Sequence, residues 1–580
     1  MGRAPKLPWT GDVRYRAVRS RMLRERRLSF LAAVVAAAAL APALGCGKGW
    51  GGHCAADDDC FFTAAEWDVI RSMSNISRTP PVPDDSNELL SPDTWDTVAA
   101  ATNASDLPPI VRLGWRLYHD PRFSGDGLTP KDTVGRSTIS PRMIKADAPQ
   151  LGISCADCHD PARHGGDFTS LPPNVSNGAG YYDVNGQQTL NASRFFPVYY
   201  WNGRADSLWS QAAQVMESPV SMHGRREKTL WTVASCYLQD PDFLATVGKL
   251  PLGAEIAAAA PSFTVATPAT AKTDDFKNAF AQTVKDHPEI AATLAERTHV
   301  AIAKAIGAYE WFLTSDGSRF DQYADAGPAS TLLTPSEKRG LKLFIGHAGC
   351  VNCHNTSLFS DRQFHNIGIG QGGEHVPTVA VCATTDCDCR AAAPASSDGG
   401  VTASGAVGGK CLPAGAYAGV QKLHADRTTD TASTTVFRRC ADDRYGCADE
   451  TPATSYDATD GNKPPGRWLG AWRTPSLRDV AMTGPYMHDG TLATLSDVVW
   501  HYDQGAVEGD SLGSSELAPL YLSAEDRADL VAFLGTLTGQ SGPPALIAKP
   551  DRSCYPADCS GGGALNCKPA PSADGGADGP

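Results

Sequence analysis

The sequence predicts a mainly α-helical protein built from two domains with loop-rich insertions. Three observations predict this class. Apolar residues recur with helical spacing in several stretches, and some of these stretches begin with strong capping signals. The 580 residues exceed what one hydrophobic core usually holds. A Cys-x-x-Cys-His motif occurs twice, and about 190 residues separate the two copies, which is room for one copy in each domain.

Residues 1–45 are typical of a lipoprotein signal peptide. Arginines at 21, 24, 26 and 27 precede an apolar, alanine-rich run over 28–44, and Ala43-Leu44-Gly45-Cys46 follows. Cys46 is then the lipidated first residue of the mature chain; a plain signal peptide or an uncleaved anchor helix is the alternative. All three kinds of N-terminal segment imply export, which predicts a bacterial periplasmic location. No other run of residues in the sequence is long and apolar enough to span a bilayer.

Net charge narrows the possible binding partners, and the cysteine count predicts disulfide bonds. A net charge of −13 argues against nucleic acid and against anionic membrane surfaces, so membrane contact is expected only through a lipid on Cys46. The chain has 17 cysteines, and an even number remains after Cys46 and the four motif cysteines are set aside. In an oxidising compartment these predict a disulfide framework, whose pairing the sequence does not define.

The two Cys-x-x-Cys-His motifs are attachment patterns for c-type haem. The first comprises Cys155, Cys158 and His159, and the second comprises Cys350, Cys353 and His354. In this pattern the two thiols form thioethers to the porphyrin, and the histidine is the proximal iron ligand. Two zinc half-sites in tandem are the alternative interpretation, and a redox dithiol is disfavoured in an exported chain.

The first half of the chain contains an arm followed by the first predicted domain. Residues 46–105 are polar and suggest a tether or a partly ordered arm. The domain is expected over 106–330, beginning with an amphipathic helix at 107–118 and ending with an apolar helix at 299–313.

The second predicted domain covers 331–540 and begins with a capping box. Thr334 and Glu337 flank Pro335, so a helix should start here and run towards Cys350. Composition then shifts over 378–465, where six cysteines suggest a disulfide-pinned insertion. A last helix is predicted from Ser523, and residues 541–580 are expected to be a weakly ordered tail.

Taken together, these stretches resemble the bacterial di-haem cytochrome c peroxidase and MauG family. The resemblance is carried, in family order, by LGWRLY (113–118), DPR (120–122), CADCHDP (155–161), WNGRADSL (201–208), SMHG (221–224), CVNCH (350–354), HNIG (365–368) and TPSLRDVAMTGPYMHDG (474–490). It implies two cytochrome c-like domains, each with one covalently bound haem c. The N-terminal haem would be the peroxide site, the C-terminal haem an electron store, and one calcium ion would lie between the domains.

Several residue roles follow from the resemblance. Trp201 matches the tryptophan between the two haems; an ordinary core aromatic is the alternative. Asn191, Thr483 and Pro485 match the calcium ligands, which would be one side-chain amide oxygen and two backbone carbonyls, the hard donors that calcium prefers. The usual Arg-Asn pair is absent beside Asn191.

The second haem's distal ligand is expected to be Tyr502. A gapless count from PYMHDG places the family's methionine ligand on this residue, and tyrosine occupies the position in MauG-like members. A phenolate is a harder donor than a thioether, so it should lower the iron's potential. His501, Met487 and Met482 are the alternatives, and Tyr502 could also be a surface-helix aromatic.

The first haem departs from the peroxidase pattern. The loop after its motif offers only His164, which is too close to His159 to match a distal ligand, so an open five-coordinate iron is expected. Ser221 occupies the position of the family's pocket glutamate, which would shuttle a proton. Glu217, one helical turn earlier, is the candidate substitute. His488 matches a family histidine, with a core hydrogen-bonding role as the alternative.

These expectations lead to competing functions. The first is reduction of hydrogen peroxide with electrons from a small c-type cytochrome or another redox protein. The second is MauG-like use of peroxide to oxidise a protein substrate. A third, of another class, is a di-haem electron carrier without substrate chemistry, which requires both irons to be six-coordinate. A dioxygenase resembling rubber oxygenases is a remote fourth.

Overall fold

The computed structural model describes residues 61–125, 153–260, 292–369, 472–506 and 515–550, with short gaps inside the first two ranges. The predicted signal peptide and the predicted insertion at 378–465 lie outside the described residues, as do residues 551–580 of the predicted tail.

Helices dominate the described residues, which confirms the mainly α prediction. The α-helices are α1 (Ala64–Met73), α2 (Pro109–Tyr118), α3 (Cys155–Cys158), α4 (Leu208–Glu217), α5 (Arg226–Cys236), α6 (Pro241–Ala245), α7 (Pro251–Ala259), α8 (Ala292–Glu310), α9 (Arg319–Ala326), α10 (Pro335–Ile345), α11 (Leu495–Gln504), α12 (Ala524–Gly535) and α13 (Pro544–Ile547). Short 3₁₀ helices cover Ala104–Asp106, Pro121–Phe123, Pro161–Arg163, Ala192–Phe195, Val247–Lys249, Cys350–Asn352 and Val480–Met482.

Strands in this part of the chain are two residues long and form small antiparallel pairs. They are β1 (Ser176–Asn177), β2 (Tyr181–Tyr182), β3 (Ser315–Asp316), β4 (Phe364–His365), β5 (Trp472–Arg473) and β6 (Gln540–Ser541). The pairs are β1 with β2, β3 with β6, and β4 with β5, where His365 faces Trp472. The last two pairs join segments that are distant in sequence.

Two separate hydrophobic cores organise the helices. In the first core, α8 packs against α2, α4 and α5. Gly114 permits the close crossing of α2 and α8, because a Cβ there would lie 1.9 Å from the carbonyl oxygen of Ala305. In the second core, α10 crosses α12, and Gly340 plays the same part, since its Cβ would lie 1.9 Å from the carbonyl oxygen of Asp529.

The predicted helix starts are confirmed where they rested on capping. Thr334 and Glu337 form the expected capping box at α10, with Pro335 in the first turn. Ser523 caps α12 through the backbone N–H of Asp526. The apolar helix predicted over 299–313 is α8, which begins earlier and ends at Glu310.

The prediction that 46–105 is only a polar arm is wrong for the part around α1. Residues Phe62, Trp67, Ile70 and Met73 are buried in the second core, and α1 packs on α9. The apolar residues of α1 lie on one helical face, and Thr63 closes a capping box with Glu66 at its start. The polar composition of the whole segment concealed this short stripe.

The predicted weak order of the tail is also wrong for residues 541–550. Strand β6 pairs with β3, and Ala545 and Leu546 of α13 are buried in the first core. Trp115 Nε1 donates to the carbonyl oxygen of Ala548 at 2.8 Å. The N-terminal helix therefore completes the second core, while the C-terminal segment completes the first.

None of the helices in the described residues combines the length and the apolar character needed to cross a bilayer.

Candidate active site

One continuous cavity of about 840 Å³ lies between the two cores, and both haem-attachment motifs line it. Its walls include all six motif residues, Cys155, Cys158, His159, Cys350, Cys353 and His354. All four motif cysteines are free of disulfide bonds, so their thiols are available for thioether formation, whereas Cys236 elsewhere in the chain is disulfide-bonded.

Local structure presents each motif in a single helical turn. Ser154 and Asp157 form a capping box that starts α3, and the N–H of His159 donates to the carbonyl oxygen of Cys155 at 2.9 Å. The second motif starts as a 3₁₀ turn, and the N–H of His354 donates to the carbonyl oxygen of Cys350 at 2.8 Å. The backbone of each histidine is thereby held at the end of the turn that carries its two cysteines.

The histidine rings are oriented as iron ligands require. His354 Nδ1 lies 2.9 Å from the carbonyl oxygen of Phe359, and His159 Nδ1 lies 3.4 Å from that of Gly165. A proton held on Nδ1 leaves Nε2 as the donor atom. Burial lowers the pKa of His354, which keeps the ring neutral, as coordination requires. The residues present therefore fit two covalently bound haems.

Trp201 and His488 both line the cavity and are linked through the backbone of Asn185. Trp201 Nε1 donates to the carbonyl oxygen of Asn185 at 2.8 Å, and the N–H of Asn185 donates to that of His488 at 2.7 Å. The His488 ring stacks on Trp472, with centroids 4.1 Å apart and planes 18° apart. Trp472 was not identified from the sequence, because it lies just before the TPSLRDV segment and belongs to none of the motifs.

Tyr502 lies in the cavity wall, whereas His501 does not. His501 Nε2 lies 2.7 Å from the carbonyl oxygen of Ile367, so its ring is engaged elsewhere. Met482 is 43% exposed and is also outside the lining, while Met487 lines the cavity. Burial, and to a lesser extent the thiols of the second motif, raise the pKa of the Tyr502 phenol.

Ser221 lines the cavity, but the acid predicted to replace the family glutamate does not. Glu217 is held in an ion pair by Arg226, whose Nε lies 2.7 Å from its carboxylate, so the structure does not bring it to Ser221 in the lining. Glu310, the last residue of α8, lines the cavity instead. It is 5% exposed, its Oε2 has no hydrogen-bond partner, and burial raises its pKa to about 8. In the sequence it appears only as the end of an apolar helix.

The structure separates the predicted amide ligand for calcium from the other two predicted ligands. Asn191 is fully buried outside the cavity lining, and its side chain donates to the carbonyl oxygen of Ser315 at 3.0 Å and accepts from the Ser315 N–H at 3.1 Å. Thr483 and Pro485 do line the cavity, and the amide beside them is Asn185, whose Nδ2 donates to the carbonyl oxygen of Pro485 at 2.6 Å. The sequence alone does not indicate that Asn185, rather than Asn191, lies beside Pro485.

Two further histidines are fixed by carboxylates. His164 Nδ1 lies 3.3 Å from Asp479, outside the cavity lining, which is consistent with a loop residue rather than an iron ligand. His365 lines the second half of the cavity, 2.9 Å from Asp361 and 2.7 Å from Glu516. The hydrogen bond to Asp361, more than any other contact, raises the pKa of His365 to about 12.

Comparisons with known proteins point to the class of protein that the sequence resembles. The sequence profile of a family described as di-haem cytochrome c peroxidase matches residues 108–328. Cytochrome-c peroxidase IdrP1 of Denitromonas iodatirespirans is 28% identical over 431 residues, which cover 74% of this chain and 81% of that protein. Methylamine utilization protein MauG of Methylorubrum extorquens is 27% identical over 443 residues, covering 76% and 81%. Cytochrome c551 peroxidase of Pseudomonas aeruginosa is 24% identical over 428 residues, covering 74% and 78%.

The protein is a di-haem peroxidase-type oxidoreductase. The predicted resemblance to the di-haem cytochrome c peroxidase and MauG family is confirmed by the profile and by these relatives, and such a family implies two haem c cofactors.

Proposed function

We propose that this enzyme reduces hydrogen peroxide at the haem held by Cys155, Cys158 and His159, using electrons relayed from the haem held by the second motif. The observation that carries this proposal is that one cavity is lined by both motifs and also by Trp201. A small c-type cytochrome or another redox protein would supply the electrons. The predicted export signal would place the reaction in the periplasm.

When bound, the haems supply one-electron redox chemistry and, at an open axial position, a binding place for peroxide. The chain's own residues favour an open position at the first motif. His164 is held by Asp479, and the sequence from 165 to 201 contains no histidine. Trp201 is fixed by its hydrogen bond to Asn185, and in this proposal its ring lies on the electron path between the two redox sites.

Steady-state consumption of hydrogen peroxide with a reduced small c-type cytochrome as donor tests the proposal. Turnover is expected, and Trp201→Phe should slow it, because this substitution removes the indole on the proposed electron path. Trp500→Phe is the matched control, since Trp500 is 50% exposed and outside the cavity lining. An absence of turnover in the wild type would refute cytochrome-dependent peroxide reduction.

The acid that splits the peroxide O–O bond is, in this proposal, Glu310. A carboxyl group with a pKa of about 8 remains protonated at neutral pH and can give its proton to a leaving oxygen. Ser221 lines the same cavity, and its hydroxyl can orient peroxide without supplying a strongly acidic proton.

Glu310→Gln should lower peroxide turnover by about 10²-fold to 10⁴-fold, because the amide keeps the shape but has no acidic proton. Haem content and the resting spectrum are expected to stay unchanged. Glu217→Gln, at the other candidate acid, should have a much smaller effect on turnover. Equal losses in the two variants would contradict the assignment of the proton to Glu310.

We assign the second iron's distal ligand to Tyr502, which supports MauG-like protein oxidation as the second candidate function. A buried neutral phenol loses its proton when a metal ion binds, and the resulting anionic donor stabilises the ferric state. Such a ligand favours highly oxidising states over rapid electron storage, and relatives named MauG match most of the chain.

Tyr502→Phe should change the absorption and EPR spectra of one haem and raise its reduction potential, since an anionic donor is lost. His501→Phe, the neighbouring control, should leave both unchanged. A reversed result would move the ligand to His501. The wild-type spectrum also addresses the third function, because a high-spin ferric signal would exclude a carrier with two six-coordinate irons.

We further propose that one calcium ion binds between Asn185, Thr483 and Pro485, with Asn185 in place of Asn191. The amide group of Asn185, turned over, presents its oxygen where its nitrogen now meets the Pro485 carbonyl. Carbonyl oxygens on the second segment complete a hard donor set that links the two halves of the molecule.

Asn185→Ala should therefore lose calcium, measured as metal per chain by atomic emission. Asn352→Ala is the control, because Asn352 also lines the cavity but is exposed and lies in the second haem motif. Retention of calcium in Asn185→Ala, or an absence of calcium from the wild type, would overturn this assignment.

A further inference from the structure

We propose that Arg473 binds a propionate carboxylate of the first haem and thereby raises the reduction potential of that haem. This inference rests on the placement of the first haem in the cavity, as stated under the proposed function.

The position of Arg473 is set by its backbone. It lies in β5, and its N–H donates to the carbonyl oxygen of Trp201 at 2.8 Å. The residue is 4% exposed and lines the cavity. Although Arg473 belongs to the C-terminal half of the chain, this hydrogen bond holds it beside Trp201.

The guanidinium contacts residues of the N-terminal half. Nε donates to the carbonyl oxygen of Tyr200 at 3.0 Å, and Cζ lies 3.8 Å from the centroid of the Phe195 ring. Both Phe195 and Tyr200 line the cavity and pack in the first core, to which Cys155 also belongs. The guanidinium thus contacts the part of the cavity wall that the first core supplies.

The charge of Arg473 has no compensating anion among the described residues. Nη1 is buried and has no hydrogen-bond partner. Burial, together with nearby Arg362, lowers its pKa to about 9. By contrast, buried Arg478 has Asp321 at 2.8 Å. An unpaired buried cation is strongly unfavourable, so the site is complete only when an anion occupies the cavity beside it.

The carboxylates that line the cavity in the described residues do not serve this purpose. Glu310 is neutral at pH 7, and Glu516 is paired with His365 at 2.7 Å. The propionates are the anionic groups of haem, and a guanidinium fork matches a carboxylate in shape and charge. A propionate of the haem held by Cys155 and Cys158 is therefore the anion that the guanidinium would meet.

The electrostatic consequence has a definite sign. A positive charge beside a haem disfavours the ferric state, which carries one more positive charge than the ferrous state. Arg473 should therefore make the first haem easier to reduce. Removal of the charge should lower that haem's potential and leave the second haem less affected.

The test is a potentiometric titration of both haems in the holoenzyme, without peroxide, comparing wild type with Arg473→Gln. In Arg473→Gln we expect the reduction potential of one haem, the one with high-spin spectral features, to fall by about 59 mV. This corresponds to about a tenfold shift of its oxidation equilibrium. Arg194→Gln is the matched control, because Arg194 is also buried with unpartnered guanidinium nitrogens but does not line the cavity. It should shift the potential much less.

Arg473→Lys provides a second readout if the glutamine variant does not fold. Lysine keeps the positive charge but lacks the two-pronged guanidinium. The reduction potential of the first haem should therefore stay near the wild-type value, while the propionate bending band in the resonance Raman spectrum shifts. No shift in band or potential would overturn the inference, as would a shift in the second haem alone or an equal effect of Arg194→Gln. Because no peroxide is used, these outcomes are independent of peroxidase turnover.

Discussion

Two backbone hydrogen bonds between the halves of the molecule determine the geometry of the site. The N–H of Arg473 donates to the carbonyl oxygen of Trp201, and the N–H of Asn185 donates to that of His488. Because they use main-chain atoms, they fix where the loops meet regardless of side-chain rotamers. The shared cavity, the orientation of the Trp201 indole and the contact of Asn185 with Pro485 all depend on this junction.

Each motif is anchored by a pair of helices that cross closely. The helix crossings at Gly114 and Gly340 are alike in the two cores. At each glycine the absence of a side chain lets the backbone of one helix contact the backbone of the other. The motif turns follow α2 and α10 in the chain, so the two haem-attachment sites rest on equivalent scaffolds. The elements of the two cores bring different side chains to the cavity lining: α8 of the first core ends at Glu310, and α11 of the second core carries Tyr502.

Local signals in the sequence predicted much of this arrangement. The capping box at Thr334 gave the start of α10, and the two Cys-x-x-Cys-His motifs gave the residues that line the cavity. Features that depend on distant contacts were missed. Nothing near Glu310 in the sequence indicates that the end of α8 meets a cavity, and the contact of Asn185 with Pro485 joins residues 300 positions apart. The buried face of α1 was likewise hidden in a polar stretch, because its partners lie more than two hundred positions later.

Each terminal segment of the described chain packs in the core formed mainly by the other half, and this affects the order in which the cores can be completed. Helix α1 covers the second core and α13 covers the first, so each half lacks part of its interior until the other end of the chain has arrived. Because a chain is synthesised from its N-terminus, the first motif emerges long before residues 541–550. The first core, which includes Ala545 and Leu546, is therefore complete only when nearly all of the described chain is present.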